Sequence, residues 1–437
     1  MKGIQIIKKK VEFAPVKYLF NIEKGTLQSL KNIPGKYPFL TGSETWKTHK
    51  DYSHDCEALA FVMGAAGSLG RTHHIKGKFI ASDLCFILTP KKEHEKNIDL
   101  EFYKIYFNMM RQSIVKELST GTSKIAINLN NFSNYQIPFP DLNFQTISKT
   151  KINFANKNIL ELDSLLEGNL NFITKLREAI LSEAVQGKLV EQDPKDEPAS
   201  ILLKKIKSEK EKLIKEGKIK KQKPLTPISD EEKPYELPKG WEWVRLGDLC
   251  SKIGSGSTPR GGKGVYKLSG IKFIRSQNVY DEELALENIV YIDKLTHERM
   301  HGTRVFPNDL LLNITGGSIG RCALVPSDFD EANVSQHVTI LRTLSLLQKE
   351  FIHKIIISPY FQNYIMATQN GANREGLAKK NMELMLVPLP PLPEQARIVE
   401  KVDKLMAYCA ELEKQVKENQ LNSEKLMGAV LKESFEK

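Results

Sequence analysis

The sequence lacks the features that define several classes of protein. Its five cysteines are scattered without Cys-x-x-Cys spacing, and no signal-peptide pattern is present, so we expect reduced thiols in a cytoplasmic protein. No apolar run approaches the roughly 20 residues that a membrane span needs. His73 and His74 have no partners at metal-ligand spacing, so no metal site is predicted.

Catalytic motifs are also missing. The glycine-rich stretch 254–264 is not a P-loop, because Lys263 is followed by Gly264 rather than by Ser or Thr. There is no Asn-Pro-Pro-aromatic motif for amino-group methylation and no Rossmann glycine fingerprint. We therefore predict no catalytic residue and no cofactor, with a nuclease or methyltransferase of unrecognised motif as the alternative. The stretch 254–264 fits a mobile loop near DNA or a plain surface loop.

What the chain has in excess is positive charge. The formal net charge is +11 and the pI about 9.1, which favours a polyanionic partner. A solvated, lysine-rich surface is the alternative. Lysines concentrate in a helical pattern over 200–223, which fits a helix near a DNA backbone or a charged linker helix. Four prolines between 224 and 238 then predict an extended linker.

A heptad pattern occurs twice. Branched apolar residues recur at every seventh position within 147–184, with companions three residues later, and Asn169 meets its counterpart Asn419 after 250 positions. The pattern predicts two long coiled-coil helices that pack antiparallel, with the paired asparagines fixing the register. The predicted seam residues are Ile152, Ile159, Leu166, Asn169, Ile173, Ile180, Val402, Cys409, Val416, Asn419 and Leu426.

The globular parts repeat as well. Gly67–Arg71 recurs as Gly317–Arg321, and Pro138 recurs as Pro388, again 250 positions later. Short β-like runs at 4–7, 37–40, 58–62, 79–80 and 85–88 precede a helical stretch at 100–118. In the second copy the runs at 272–274, 310–314 and 337–341 precede a helical stretch at 347–368. We expect an α+β fold with two similar globular domains, two long antiparallel helices and a pseudo-twofold internal repeat.

Several residues of the repeat are candidates for DNA contact. The two Gly-Ser turns offer amides, hydroxyls and an arginine to phosphates, although a conserved tight turn explains them equally. The stretches 275–278 and 335–337 contain side chains that read base edges, and 41–45 is the corresponding place in the first copy. Because these stretches differ while their frames match, we predict two different half-sites. The predicted DNA-binding residues are Thr41, Ser43, Ser68, Arg71, Thr72, Lys124, Arg275, Gln277, Asn278, Thr315, Ser318, Arg321, Gln336, His337, Asn373 and Lys379.

Four stretches carry a family resemblance. Glu236–Leu249 resembles the opening of a target-recognition domain in the specificity subunit of type I restriction–modification systems. Thr315–Arg321, the exit Pro388–Val399 and the helix end Leu176–Leu189 resemble the same family. The first domain departs from the pattern, since its opening lacks Pro-x-Gly-Trp and its exit keeps only part of the Pro-Glu-Gln form.

The resemblance implies a non-catalytic reader of double-stranded DNA, with no membrane association. Each domain would bind half of a split, asymmetric site, and the helices would set the unread spacer. They would also dock two methyltransferase subunits that use S-adenosylmethionine, and an ATP-driven restriction subunit would join them. A basic coiled-coil scaffold that binds nucleic acid without sequence preference is the alternative. The expected parts are recognition domain 1 (1–142), the central helix (143–188), a lysine-rich helix and proline linker (189–235), recognition domain 2 (236–390) and the C-terminal helix (391–437).

Overall fold

The structure, a computed structural model, describes residues 11–65, 67–120, 125–369 and 376–435. Its contacts group the chain into two units. The first unit is Met1–Gly168 with Val416–Lys437, and the second is Asn169–Gln415. Each unit holds one globular domain and a part of each long helix. The domain boundaries expected from the sequence treat the helices as separate parts and stay a prediction.

The first unit contains a six-stranded sheet and two separate pairs of short strands. Its strands are β1 (Phe13–Pro15), β2 (Phe20–Lys24), β3 (Tyr37–Leu40), β4 (Lys47–His49), β5 (His54–Val62), β6 (Thr72–Ala81), β7 (Cys85–Pro90), β8 (Ser119–Thr120), β9 (Ala126–Ile127) and β10 (Gln136–Pro138). Its helices are α1 (Val16–Leu19), α2 (Leu100–Met109), α3 (Arg111–Leu118), α4 (Leu129–Asn134), the first part of α5 (Leu142–Val185) and the last part of α12 (Leu392–Phe435). The sheet order is β2-β7-β5-β6-β3-β4, and β3 pairs with β6 in parallel while the other neighbours are antiparallel.

Aromatic side chains fill the space between this sheet and the helices. Phe61 and Phe86 of the sheet and Phe107 of α2 are fully buried around Phe132 of α4. The single helix expected at 100–118 is two helices, because Met110 leaves helical backbone angles between α2 and α3. The predicted run Ile4–Ile7 lies outside the described residues.

The second unit repeats the topology with an interruption. Its strands are β11 (Glu242–Arg245), β12 (Cys250–Ser255), β13 (Ile271–Ile274), β14 (Val290–Ile292), β15 (Arg304–Val305), β16 (Leu310–Asn313), β17 (Cys322–Leu324), β18 (Ala332–Val334), β19 (Val338–Thr343) and β20 (Leu386–Leu389). Its helices are the last part of α5, α6 (Ala199–Lys215), α7 (Leu246–Leu249), α8 (Lys294–Arg299), α9 (Lys349–Ile357), α10 (Pro359–Gln369), α11 (Lys379–Leu384) and the first part of α12 (Leu392–Phe435). Eight of these strands form two four-stranded sheets, β12-β19-β16-β17 and β14-β13-β18-β15, and β11 pairs separately with β20.

The interruption has a local cause. Strand β5 of the first unit is continuous, whereas a turn at Phe306–Asp309 separates its counterparts β15 and β16. Asn308 has a φ of 66°, and the buried Asp309 carboxylate accepts from the Phe306 amide (2.7 Å) and from the Arg342 guanidinium (2.7 Å). The turn is therefore held by the Arg342–Asp309 ion pair. The interruption leaves the order of equivalent strands the same in the two units.

Two helical stretches of the second unit differ from the sequence prediction. The stretch 347–368 is divided between α9 and α10 at Ser358, because the residue before a proline, here Pro359, disfavours the helical region. The lysine-rich helix α6 stops at Lys215 rather than 223, because Gly217 adopts a φ of 69°.

The long helices α5 and α12 are each 44 residues, as the heptads predict. Within the first unit they pack antiparallel, since Lys151 pairs with Glu433 (2.9 Å) and the Ser423 hydroxyl donates to Asp163 (3.3 Å). Within the second unit Arg177 pairs with Glu413 (2.9 Å).

The buried line of these helices differs from the predicted seam at three positions. It contains Ile152, Leu166, Ile173, Ile180, Val402, Cys409 and Val416, with Ile159 half-buried. Asn169, Asn419 and Leu426 are exposed. Each of these three residues follows a buried residue by three positions. In the structure, the second row of shielded residues instead lies four positions after the buried ones. The asparagines are therefore not buried register residues, contrary to the prediction.

Candidate nucleic-acid interface

The Gly-Ser turn connects two strands in the same way in both units. In the first unit the Val62 amide donates to Arg71 O and the Gly70 amide donates to Val62 O, both at 2.8 Å. In the second unit the Asn313 amide donates to Arg321 O (2.8 Å) and the Gly320 amide to Asn313 O (2.9 Å). Thus the sequence repeat preserves one hairpin geometry.

A second pair of loops occupies equivalent places beside these turns. The Ser82 amide donates to Leu40 O (2.8 Å), and the Ser335 amide donates to Ile274 O (2.9 Å), so β3 and β13 end at matching points. The loops that follow are 41–46 in the first unit and 275–289 in the second. The second unit is therefore longer than the first in this region, and α8 lengthens it further between β14 and β15.

Each loop is clamped to its Gly-Ser turn by a different side chain. In the first unit the Arg71 guanidinium donates to Gly42 O (2.8 Å) and to the Glu44 carboxylate (3.0 Å). In the second unit the buried Asn313 amide donates to Ser276 O (2.9 Å) and to the Ser318 hydroxyl (3.1 Å). The clamp brings Thr41, Ser43, Ser68 and Arg71 together in one unit and Arg275, Gln277, Ser318 and Arg321 together in the other.

Helical side chains hold each turn from behind. Arg111 of α3 donates to Leu69 O (2.7 Å) and to Gly67 O (2.8 Å), and Gln362 of α10 donates to Gly320 O (3.0 Å). Burial, with the Arg71 charge as the next cause, lowers the pKa of Arg111 from its ordinary value. These supports hold the turn in a fixed position, which is what a rigid contact element requires.

The arginines of the two turns differ in their engagement. The Arg71 guanidinium is occupied within its own loop, whereas that of Arg321 lies over the Tyr280 ring, 4.8 Å from its centroid. Among the described residues, no hydrogen bond or ion pair engages the Arg321 side chain. The same sequence motif therefore presents an arginine with hydrogen bonds in one unit and an arginine without them in the other.

An exposed polar cluster lies beside the second turn. The Thr315 hydroxyl and His337 Nδ1 are 2.6 Å apart, and the Gln336 amide lies 3.1 Å from His337 Nε2. The Leu377 amide donates to Ile314 O (2.9 Å), next to Thr315 in the chain. This bond brings the exposed Lys379, two residues after Leu377, close to the cluster. These predicted contact residues share one patch.

Two of the predicted DNA-binding residues, Thr72 and Asn278, are buried and bonded to other residues of the chain. Thr72 is buried, and its backbone amide and oxygen bond to the Asn108 side chain at 3.0 and 2.8 Å. Asn278 is buried, accepts from the Arg275 amide (3.1 Å) and donates to Ala285 O (2.9 Å). The Thr72 hydroxyl donates to Gly70 O (3.4 Å), and the Asn278 side chain bonds within its own loop. Neither buried side chain presents an open base-reading group. Lys124 and Asn373 lie outside the described residues.

Sequence reasoning missed several residues of these patches. Trp46 is exposed, and its indole N–H donates to His73 Nδ1 at 3.3 Å. Burial, followed by the Arg71 charge, lowers the pKa of His73, which favours the neutral ring that accepts this bond. Asn313 and Tyr280 were also missed. A polar residue inside the apolar run 310–314 was the available signal for Asn313.

Two features are absent from the described residues. No helix in that part of the chain is both long and apolar enough to cross a bilayer. No group of three or more His, Cys, Asp or Glu side chains in the same residues is placed to hold a metal ion.

Two domains of one topology, with unlike loops at equivalent places and a long helix after each, define a duplicated α+β recognition protein. Comparison with known proteins gives the family. The family model of the type I restriction modification DNA specificity domain matches residues 8–162 and 238–423. The chain therefore belongs to the family of type I restriction modification DNA specificity domains, which confirms the resemblance and the fold class expected from the sequence.

The chain is similar to named specificity subunits. The type I restriction enzyme EcoAI specificity subunit of Escherichia coli is 36% identical over 259 residues, which are 57% of this chain and 43% of that protein. The chain thus spans less than half of that relative's length. The EcoKI specificity subunit of Escherichia coli strain K12 is 23% identical over 393 residues, covering 86% of this chain and 73% of that protein.

Solved structures share the fold. One structure comes from work on the structural basis of complex assembly and conformational transition of the type I R-M system. It aligns with a TM-score of 0.67 and 15% identity, covering 98% of both chains. The HsdS subunit from Thermoanaerobacter tengcongensis aligns with a TM-score of 0.55 and 16% identity, covering 99% of this chain and 98% of that chain.

Proposed function

We propose that the chain is the DNA-binding specificity subunit of a type I restriction–modification complex. Each domain reads one half of a bipartite, asymmetric site on double-stranded DNA. The observation that carries the proposal is the pair of loops 41–46 and 275–289, which occupy equivalent places on one topology and differ in length and in contact groups. The chain's named relatives are specificity subunits, which supports the same role.

The two halves of the site differ because the two patches differ in chemistry. The second unit presents Gln336, His337 and Thr315 on an exposed cluster, whereas Asp83 and Leu84 occupy the matching turn of the first unit. Amide and imidazole groups read donor–acceptor patterns that a leucine does not read. Arg275 and Gln277 add to the second patch, and Thr41, Ser43 and Ser68 to the first.

The helices α5 and α12 set the length of the unread spacer between the half-sites. Support comes from their extent, because each helix runs from one unit into the other. A rise of about 1.5 Å per residue makes each helix roughly 65 Å long, close to two turns of DNA.

The same helices dock two methyltransferase subunits. The exposed apolar side chains Phe154, Leu160, Leu165 and Phe172 on α5 support this role, because exposed apolar surface marks protein contacts. The chain itself is non-catalytic, and an ATP-dependent restriction subunit completes the complex in the cytoplasm.

Selection from a randomised duplex pool tests the proposal. The purified chain, with and without its methyltransferase partner, is incubated with the pool, and the retained DNA is sequenced. Two short enriched segments at a fixed separation are expected, with binding that falls steeply as salt rises. Salt-dependent retention without an enriched motif would instead identify the non-specific scaffold. Methyl transfer by the chain alone would contradict the non-catalytic role.

A further inference from the structure

We propose that Arg321, stacked on Tyr280, reads a guanine in the half-site of the second domain, and that the first domain has no equivalent reader. The inference rests on the proposed function, and it assigns one base to one side chain. Arginine is suited to guanine because its planar fork can donate to O6 and N7 of one base together.

The stacking is held by the backbone around it. The Tyr280 amide donates to Glu283 O (3.1 Å), which closes a tight turn at the tip of the loop. The Asp281 carboxylate accepts from the amide of Cys322 (3.1 Å), the residue that follows Arg321. A hydrogen bond therefore links the residue after Tyr280 to the residue after Arg321. This link orients the ring and the guanidinium toward each other before any DNA binds.

Arg321 is available because another side chain does its structural work. In the first unit Arg71 spends its guanidinium on Gly42 O and Glu44. In the second unit the Asn313 amide bonds to Ser276 O, the matching position of the other loop. Replacing an arginine clamp by an asparagine clamp leaves the arginine of the repeated motif without a hydrogen-bond partner among the described residues.

The surrounding charge favours a base edge over a phosphate. The exposed Asp281, Glu282 and Glu283 follow Tyr280 directly in the loop. A phosphate placed on Arg321 would bring the DNA backbone to these carboxylates, and like charges repel at this range. A base edge carries no net charge, so the same approach costs less there.

Tyr280 is a positioning residue in this account. It restricts the Arg321 side chain to one plane by a cation–π contact, which reduces the conformational freedom lost on binding. Phenylalanine would preserve the ring face, whereas alanine would remove it.

Competitive binding of a duplex library tests the assignment, with every position of the selected site varied in turn. In the wild-type chain, one position of one half-site should require guanine. Arg321→Ala should reduce that preference about 10- to 100-fold and leave the other half-site unchanged. Tyr280→Phe should behave as the wild type, and Tyr280→Ala should weaken the same preference only. Arg71→Ala is the matched control and should leave the guanine preference intact.

Other results would overturn the assignment. A uniform loss of affinity for all sequences on Arg321→Ala would make Arg321 a phosphate contact. Loss of the guanine preference in Tyr280→Phe would show that the hydroxyl, rather than the ring face, matters. A wild-type motif with an unchanged guanine preference in Arg321→Ala would refute the reader and keep the proposed function. A wild-type chain that enriches no motif would refute both.

Discussion

The Asn313 side-chain amide donates to the main-chain oxygen of Ser276 at 2.9 Å, and this bond fixes the loop that begins the second recognition patch. Asn313 is fully buried. The Asn313→Ala variant leaves the Ser276 main-chain oxygen without this donor. We expect its free energy of unfolding to fall by about 1–3 kcal/mol. Hydrogen exchange should speed up at the backbone amides of 276–278.

The first-unit counterpart of this clamp provides the comparison. Arg71→Ala removes a bond to Gly42 O and a pair with the largely exposed Glu44. Because exposed ion pairs contribute little, we expect a loss of only about 1 kcal/mol. Faster exchange confined to the amides of 41–46 would support the clamp, and equal exchange in wild type and variant would contradict it.

Of the two glycines in the motif Gly317–Arg321, only Gly320 has a backbone conformation that requires glycine. Gly320 has a φ of 89°, and a Cβ there would lie 2.3 Å from the Gln362 side-chain oxygen. We expect Gly320→Ala to destabilise the chain by about 1–2 kcal/mol from the backbone strain alone, measured by urea unfolding. Gly317, three residues earlier, has no atom within 4 Å of a Cβ. Gly317→Ala should therefore match the wild type, and a similar loss in both variants would refute the explanation.

Adjacent residues on α5 separate the buried line from the exposed surface. Ile173 is 5% exposed and Phe172 is 65% exposed. Truncation of the buried residue leaves a cavity, so Ile173→Ala should lower the free energy of unfolding by about 2–4 kcal/mol. Phe172→Ala should change it by less than about 0.5 kcal/mol and should weaken capture of the methyltransferase partner. Comparable destabilisation by the two variants would contradict the assignment of faces.

The Glu394 carboxyl gives the second unit a pH dependence. Burial is the main cause that raises the pKa of Glu394 above its ordinary value of 4.5, against the lowering effect of bonds from Gln192 (3.3 Å) and from the Trp241 indole (3.0 Å). The folded state thus binds this proton more tightly than the unfolded chain does. The stabilisation is complete below pH 4.5 and is lost as pH rises through the folded pKa.

Glu394→Gln tests this sign, because glutamine imitates the protonated acid at every pH. Relative to the wild type, the variant should gain stability as pH rises above 4.5, and the two unfolding curves should approach each other below it. A stability difference that does not vary with pH would contradict the assignment.

Periodic features of the chain were predictable and loop geometry was not. The seven-residue spacing predicts both long helices, and the 250-residue repeat predicts the matching turns Gly67–Arg71 and Gly317–Arg321. Such features depend on local spacing, which a sequence shows directly. The exposure of Asn169 and Asn419 depends on how two helices meet, which spacing alone left open between three and four residues.

The candidate site shows the same division. The sequence predicted the same role for Arg71 and Arg321, and the structure distinguishes them through the loop contacts of Asn313 and Tyr280. Asn278 had the right chemistry for adenine and is consumed by bonds to Arg275 and Ala285. Which polar side chain remains free depends on tertiary contacts, and one sequence does not specify these.

The central proposal is that two unlike readers are held at a separation fixed by the paired helices. Its most direct test removes one heptad from each helix at facing positions, residues 156–162 of α5 and 424–430 of α12, where Asp163 meets Ser423. The sites selected by wild type and variant from a randomised duplex pool are then compared, with the methyltransferase partner present. Seven residues are about 10 Å of helix, or roughly three base pairs, so both half-sites should be retained with a gap shorter by about that number. Retention of both half-sites with an unchanged gap would contradict the proposal.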